Sequence, residues 1–212
     1  MSGPELTGDR PATWVFTGDS ITHGLMHTHG WRSYVEHFQE RLRGELGRRT
    51  DWVVNTGISG DRTTDVLASF DERVTRFAPA VVSVLLGTND ATDGPAGAQT
   101  FSGNLTAIVA AIRGTGATPL LHTPPWIDVA GAPDRASLGD YAAVVRDVAA
   151  RTDVTLVDHY QRWCDHTLAE RQSWLADPFH PNARGHLEMA RTLFRRLGIF
   201  DPASPTCALE IP

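Results

Sequence analysis

Short apolar runs alternate along the chain with longer segments whose apolar residues recur every three to four positions. The first pattern predicts strands and the second amphipathic helices. Residues 14–17 form the first predicted strand. A helix follows over about 31–46, with Tyr34, Phe38 and Leu42 on one stripe and Gly47 in the place of a glycine cap. A second short strand covers 51–55, and a helix over about 63–77 puts Val66, Leu67, Phe70, Val74 and Phe77 on one side. Residues 80–86 are apolar nearly throughout, as expected of a strand covered by helices on both faces. Beyond it come a helix over about 100–113, a strand at 118–123 closed by two prolines, a helix over 138–151 and a short strand at 155–157. Residues 160–175 are polar and aromatic and are expected to be partly helical. Pro181 is expected to open the last helix, which runs to about Leu197. A proline's missing N–H would be unpaired in the first turn anyway.

Alternation of this kind predicts an α/β fold: a parallel sheet of five strands with helices on both faces, in one domain over 1–212 with tails at 1–13 and 201–212. Open sheets of this type bind ligands at the carboxyl ends of their strands, near a topological switch point. Small polar residues fall there. Ser20 ends the first strand, Gly60 lies just past the second, and Asn89 ends the third. All three belong at one rim.

Composition narrows the function classes. The 212 residues are 41% hydrophobic and 21% charged, ordinary for a single compact domain. A net charge of −6 does not favour nucleic acid or an anionic membrane as partner. All 19 basic residues are arginine, so a catalytic lysine is excluded. No stretch is long and apolar enough to span a bilayer, and residues 1–13 lack a signal-peptide apolar run, which leads to the expectation of a cytoplasmic protein. Cys164 and Cys207 are too few for a disulfide framework or a zinc site and are read as free thiols. No metal or cofactor is expected.

The candidate chemistry starts at Gly18-Asp19-Ser20. A serine on a sharp turn at a strand end can be a nucleophile, or simply a turn residue. A serine hydroxyl needs a base, usually a histidine held in one tautomer by a carboxylate. Asp177 and His180, three apart on a proline-bracketed turn, can supply both; the alternative is a capped helix entry with His180 merely exposed. The oxygen that becomes negative on attack needs fixed donors. The backbone N–H groups of Ser20 and Gly60 and the side-chain amide of Asn89 are candidates, against plain turn roles for the last two. Asp19 is read as fixing the turn. His23 is a rival base without an obvious orienting acid. His23, His27 and His29 are expected to line the mouth of the site, with no carboxylate beside them to suggest a metal. Trp126 and Phe179 are pocket-wall candidates, with Trp163 and Trp174 as a further wall. His122 points at the pocket or into the core, and His159, His166 and His186 are read as surface or packing residues.

Four blocks stand in order: Gly-Asp-Ser-Ile from residue 18, Ile-Ser-Gly-Asp around residue 60, Gly-Thr-Asn-Asp after the third strand, and Asp-x-x-His-Pro-Asn near the end. Together they closely resemble the motif blocks of the SGNH hydrolases, the GDSL esterase/lipase family. The resemblance implies a five-stranded, flavodoxin-like α/β/α sandwich. It implies Ser20 as nucleophile, His180 as general base, Asp177 as its orienting acid, and Ser20, Gly60 and Asn89 as oxyanion donors. It also implies a small-molecule carboxylic ester as substrate. Isoleucine replaces the leucine of the older family name at position 21. Short loops favour small acyl groups such as O-acetyl; acyl transfer to an alcohol or amine, and lipase or thioesterase activity on longer chains, are the alternatives.

Overall fold

The computed structural model describes residues 11–211, so most of the expected amino-terminal tail lies outside the described residues. Its sheet has five parallel strands: β1 (Thr13–Gly18), β2 (Trp52–Asn55), β3 (Val81–Leu85), β4 (Thr118–His122) and β5 (Thr155–Val157). Their order is β2-β1-β3-β4-β5. The chain thus leaves β1 toward one edge and returns on its other side as β3. The carboxyl ends of β1 and β3 are the switch point.

Strand side chains alternate between faces. Trp14, Phe16, Val81, Leu85 and Leu120 face one layer, while Val15, Val82, Val84 and Leu121 face the other. The first layer is α2 (Tyr34–Gln39) with α9 (Ala183–Arg196), which contribute Phe38, Met189, Leu193 and Phe194. The second is α3 (Thr63–Ala68), α5 (Ala98–Gly114) and α6 (Leu138–Arg151), which contribute Val66, Leu105, Ile108, Tyr141 and Val145. All five residues of β3 are buried, as the apolar run predicted. Asp51, expected inside the second strand, stands just before it instead. Its buried carboxylate accepts from Ala12 N, Arg48 and the Trp14 indole, so a buried indole N–H is not left unpaired at a cost of about 1–3 kcal/mol.

Three predicted helices differ in their bounds. The helix expected from 31 begins at Tyr34, because Ser33 and Glu36 form a capping box and leave Trp31 in an exposed loop. It ends in a wide π-type turn over Glu40–Glu45. There Arg41 turns inward, donating to the Ile199 carbonyl and pairing with Glu45. The helix expected over 63–77 is broken at Ser69 (φ −121°, ψ 28°) into α3, α4 (Phe70–Arg73) and a last short turn. The Ser69 hydroxyl donates to the Asp65 carbonyl, the local competition that disfavours serine inside helices. Pro181 does not open α9. It pairs in a short bridge with Leu175, and Asn182 caps the helix by accepting from Gly185 N.

The segment 160–175 is helical in two pieces, α7 (His159–Cys164) and α8 (Leu168–Ser173). Residues expected as a carboxyl-terminal tail carry α10 (Pro205–Ala208) and pack on the body. Burial would raise the Glu45 carboxyl, but hydrogen bonds from Ser204, Thr206 and Arg41 outweigh it and bring it down to about 2. Both cysteines are free, Cys164 exposed and Cys207 buried. Among the described residues, no helix is long and apolar enough to cross a membrane.

The layer under α2 and α9 is rich in buried imidazoles. His122 points into the core, bonding Ser83 Oγ at 2.8 Å and His159 at 2.9 Å. His186 accepts from Tyr34 N, while both nitrogens of His37 lack a partner among the described residues. Burial lowers His159 and His186 to about 3 and His37 to about 4. A histidine depressed in the folded state contributes stability that is fully present above the unfolded value and is lost as pH falls toward the folded one. Thermal stability is therefore expected to fall between about pH 6.5 and 4. His37→Leu, which removes one such group without breaking a hydrogen bond, should leave the melting temperature at pH 7.5 nearly unchanged and make the acid loss shallower. Melting curves of both proteins across that range check this; parallel curves would refute it.

Candidate active site

The site begins where β1 stops. A Cβ on Gly18 would lie 2.2 Å from the Leu85 carbonyl oxygen and 2.5 Å from Thr22 Oγ1, so only glycine allows the close turn. Asp19 then caps α1 (Ser20–His23), its Oδ1 accepting from Ile21 N at 2.9 Å. This turn-fixing role is the one expected of Asp19. Ser20 is thereby the first residue of the helical turn, with its N–H at the turn's open end.

The other rim segments are tied to it. Ile58 N donates to the Gly18 carbonyl at 3.0 Å, which lays the 57–61 turn beside the serine. Gly60 has φ +89°, a left-handed conformation that glycine adopts without strain. Asp61 in the same turn is ion-paired with Arg73. The Asn89 amide donates to the Asp61 carbonyl at 3.0 Å, and the next residue, Asp90, accepts from Thr63 N and Oγ1. The three donor residues expected from the sequence thus lie on the segments that follow β1, β2 and β3, and hydrogen bonds of Ile58 to Gly18 and of Asn89 to Asp61 tie those segments together.

The loop before α9 supplies the fourth side. Ala176 N donates to the His180 carbonyl, and the Asn182 amide spans to the carbonyls of Ser173 and Leu175. Within this clasp, Asp177 Oδ1 accepts from the backbone N–H of Phe179 and of His180. Asp177 Oδ2 lies 2.7 Å from His180 Nδ1, and His180 Nε2 lies 2.9 Å from Ser20 Oγ. An ionised carboxylate can only accept, so Nδ1 carries the imidazole proton and Nε2 is left to accept from the serine. A hydroxyl, an imidazole and a carboxylate in this order can move a proton away from the hydroxyl.

Environment separates the nearby carboxyls. Burial would raise Asp177, but the backbone N–H groups of Phe179 and His180 and the His180 ring outweigh it, so its carboxyl is held below the usual range. Asp19, fully buried with Oδ2 lacking a partner among the described residues, is pushed up to about 7. Desolvation is the main cause and the charges of Asp90 and Asp61 add to it, against the Ile21 hydrogen bond. His180 is lowered by burial, with Asp177 opposing and His27 and Arg135 adding to the drop.

Other expectations divide. His23 does not approach the serine as a rival base; its Nδ1 bonds Ser59 Oγ at 3.2 Å. The expectation that no carboxylate stands beside the 23–29 histidines is overturned for His27. Its ring stacks on His180 with centroids 3.6 Å apart, and its Nε2 lies 3.4 Å from Asp177 Oδ2. His27, Asp177 and His180 could group around an ion, but two parallel rings aim their in-plane lone pairs side by side rather than at one point. Trp163 is fully buried in the core and forms no wall. Phe179 packs between His180 and the Arg135 guanidinium. Half-buried Trp126 lies under Arg171, on a loop tied to the His180 clasp by Asp128 N donating to the Pro178 carbonyl. Sequence reasoning put His27 at the mouth of the site but missed its contact with His180 and Asp177, and it missed Arg135 altogether, since neither contact carries a local signal.

Residues 16–187 match the GDSL-like Lipase/Acylhydrolase family. The chain is 28% identical over 207 residues to an acetylxylan esterase of Geobacillus stearothermophilus, covering 87% of this chain and 93% of that one. It is 38% identical over 112 residues to the esterase TesA of Pseudomonas aeruginosa, covering 51% of this chain and 52% of that one. Among solved structures, LAE5, an α/β hydrolase enzyme from the metagenome of Lake Arreo in Spain, superposes with a TM-score of 0.75 at 26% identity, covering 90% and 96% of the two chains. The Geobacillus acetylxylan esterase Axe2 has the same fold, with a TM-score of 0.74 over 88% and 94% of the two chains at 23% identity. With the motif blocks on the rim where the sheet needs them, and with these relatives, the chain belongs to the GDSL-like lipase/acylhydrolase family of SGNH-type ester hydrolases.

Proposed function

We propose that the protein hydrolyses carboxylic esters of short acyl groups, O-acetyl esters of carbohydrates in particular, through an acyl-enzyme on Ser20. Ser20 Oγ attacks the ester carbonyl as His180 Nε2 takes its proton. Asp177 holds the imidazole tautomer and stabilises the imidazolium. The N–H groups of Ser20 and Gly60 and the Asn89 amide receive the oxyanion. His180 then gives the proton to the leaving alcohol. It next takes one from water, whose oxygen attacks the acyl-enzyme and releases the acid.

The observation that carries this reading is the unbroken chain from Ser20 Oγ through His180 to Asp177, at 2.9 and 2.7 Å. The acetyl preference is supported by the acetylxylan esterase among the relatives. Catalytic mutants of that enzyme replace a serine, an aspartate and a histidine, the three residue types joined here.

A chain-length series of p-nitrophenyl esters beside acetylated xylo-oligosaccharides, read as kcat/KM, tests the substrate class. Acetyl esters are expected to be preferred, and a rise from acetyl to octanoyl would overturn the acetyl assignment. Ser20→Ala should lower turnover by about 10³-fold or more and abolish labelling by a fluorophosphonate, whereas Asn89→Ala should cost roughly 10²–10³-fold with labelling retained. Full turnover by Ser20→Ala would sink the mechanism.

The pH profile follows from His180. The base must be neutral to accept the serine proton, so the rate rises as pH climbs through its pKa. Burial, with His27 and Arg135, holds that value below the ordinary one. The acid limb of kcat/KM is expected below about pH 6.5, with a plateau through neutrality. A limb above pH 7 would contradict this assignment.

A further inference from the structure

The reaction proposed for Ser20 needs one imidazole, yet two lie face to face at the site. We propose that His27 is a positioning residue of the Asp177–His180 pair: it stacks on the base and reaches the same carboxylate oxygen, fixing the plane of His180 and sharing the charge of Asp177. This inference rests on the assignment of His180 as base.

Three observations carry it. The rings of His27 and His180 are nearly parallel, 12° apart, at a centroid distance of 3.6 Å, which is full contact. His27 Nε2 stands 3.4 Å from Asp177 Oδ2, the oxygen that also receives His180 Nδ1–H. The segment that carries His27 is braced, since Thr28 is buried and donates to the Gly24 carbonyl. Gly24 itself is the left-handed cap of α1, one helical turn past Ser20, its N–H donating to the Ser20 carbonyl.

The physical consequences have definite signs. Contact with a ring on one face removes water from His180 and restricts its rotation about the Cβ–Cγ bond. A neutral imidazole with its proton on Nε2 draws on the Asp177 charge, leaving less of it to favour the imidazolium. An imidazolium at His27 would oppose a second positive charge 3.6 Å away. All three effects keep His180 neutral and its Nε2 aimed at Ser20. The charged and titratable groups that act on His180 among the described residues are Asp177 on its own loop, His27 from the segment after α1, Arg135 from the turn before α6, and the buried, neutral His186 of α9. Of these only Asp177 favours protonation.

The test compares wild type with His27→Ala, which loses ring and N–H, and His27→Phe, which keeps a stacking ring and loses the N–H. Two readouts are taken: the pH profile of kcat/KM on p-nitrophenyl acetate, and the His180 titration followed by NMR in the enzyme without substrate. Loss of His27 should move the acid limb and the NMR titration upward together, by about half a pH unit to one unit, with His27→Phe between wild type and His27→Ala. At pH 6 the His27→Ala rate should fall by roughly 3- to 10-fold, with a smaller loss at pH 8. A purely packing role for His27 would lower activity equally at all pH values and leave the titration in place; that result, or an unchanged His27→Ala, overturns the proposal. If His27→Ala does not fold, His27→Phe decides alone by the same shift. The NMR titration needs no turnover. A shift seen there in an enzyme that splits no ester would therefore leave the positioning role intact while removing the proposed function.

Discussion

No side chain fits at Gly18, and the site is organised by that constraint. The strand passes so close to the Leu85 carbonyl and to Thr22 that the chain must turn at once. Asp19 caps the new turn, and Ser20 becomes its first residue, with its hydroxyl against His180 Nε2. The Gly18 carbonyl then binds the 57–61 turn, and Asn89 binds that turn in its own way. A bulkier residue at 18 would push on β3 and α1 together and misplace the groups that converge there.

Two carboxyl groups flank the serine and meet opposite fates. Asp177 is half-exposed and accepts three hydrogen bonds, so it stays ionised and can orient an imidazole. Asp19 is buried, with one oxygen lacking a partner among the described residues, and its proton is held to about pH 7. Environments that push neighbouring groups apart are how one fold assigns different tasks to the same residue type. Here a charge is kept beside the imidazole, where it favours the proposed reaction. Beside the hydroxyl, a full negative charge would oppose a developing oxyanion, and burial opposes that charge.

The histidines follow the same logic at larger scale. Six of them, buried His37 on α2 included, lie on or under one face of the sheet, and their setting decides their chemistry. His122, His159 and His186 are sealed among Tyr34, Ser83 and the apolar residues of α2 and α9, where a charge has no water to meet it. His180 and His27 sit higher, at the rim, where a carboxylate and solvent can meet a proton in transit. The layer that stabilises the fold at neutral pH is continuous with the one that serves the site.

Much of this was legible in the residue order. The five strands, their parallel arrangement and the rim positions of Ser20, Gly60 and Asn89 follow from the spacing of apolar runs and glycine turns, because strand periodicity and steric limits are local properties. The pairing of Asp177 with His180 was legible too, since three residues on a tight turn suffice to bring them together. Helix bounds were less so: the π-type turn at Arg41 depends on a partner far along the chain, the Ile199 carbonyl. The place of Pro181 depended on its bridge to Leu175. The fate of each histidine was decided only in three dimensions. His23 and His27 look alike in sequence, yet one turns to Ser59 and the other stacks on a ring brought from the opposite end of the chain. Local sequence fixes which groups a turn can present; only the packing of distant turns decides which of them touch.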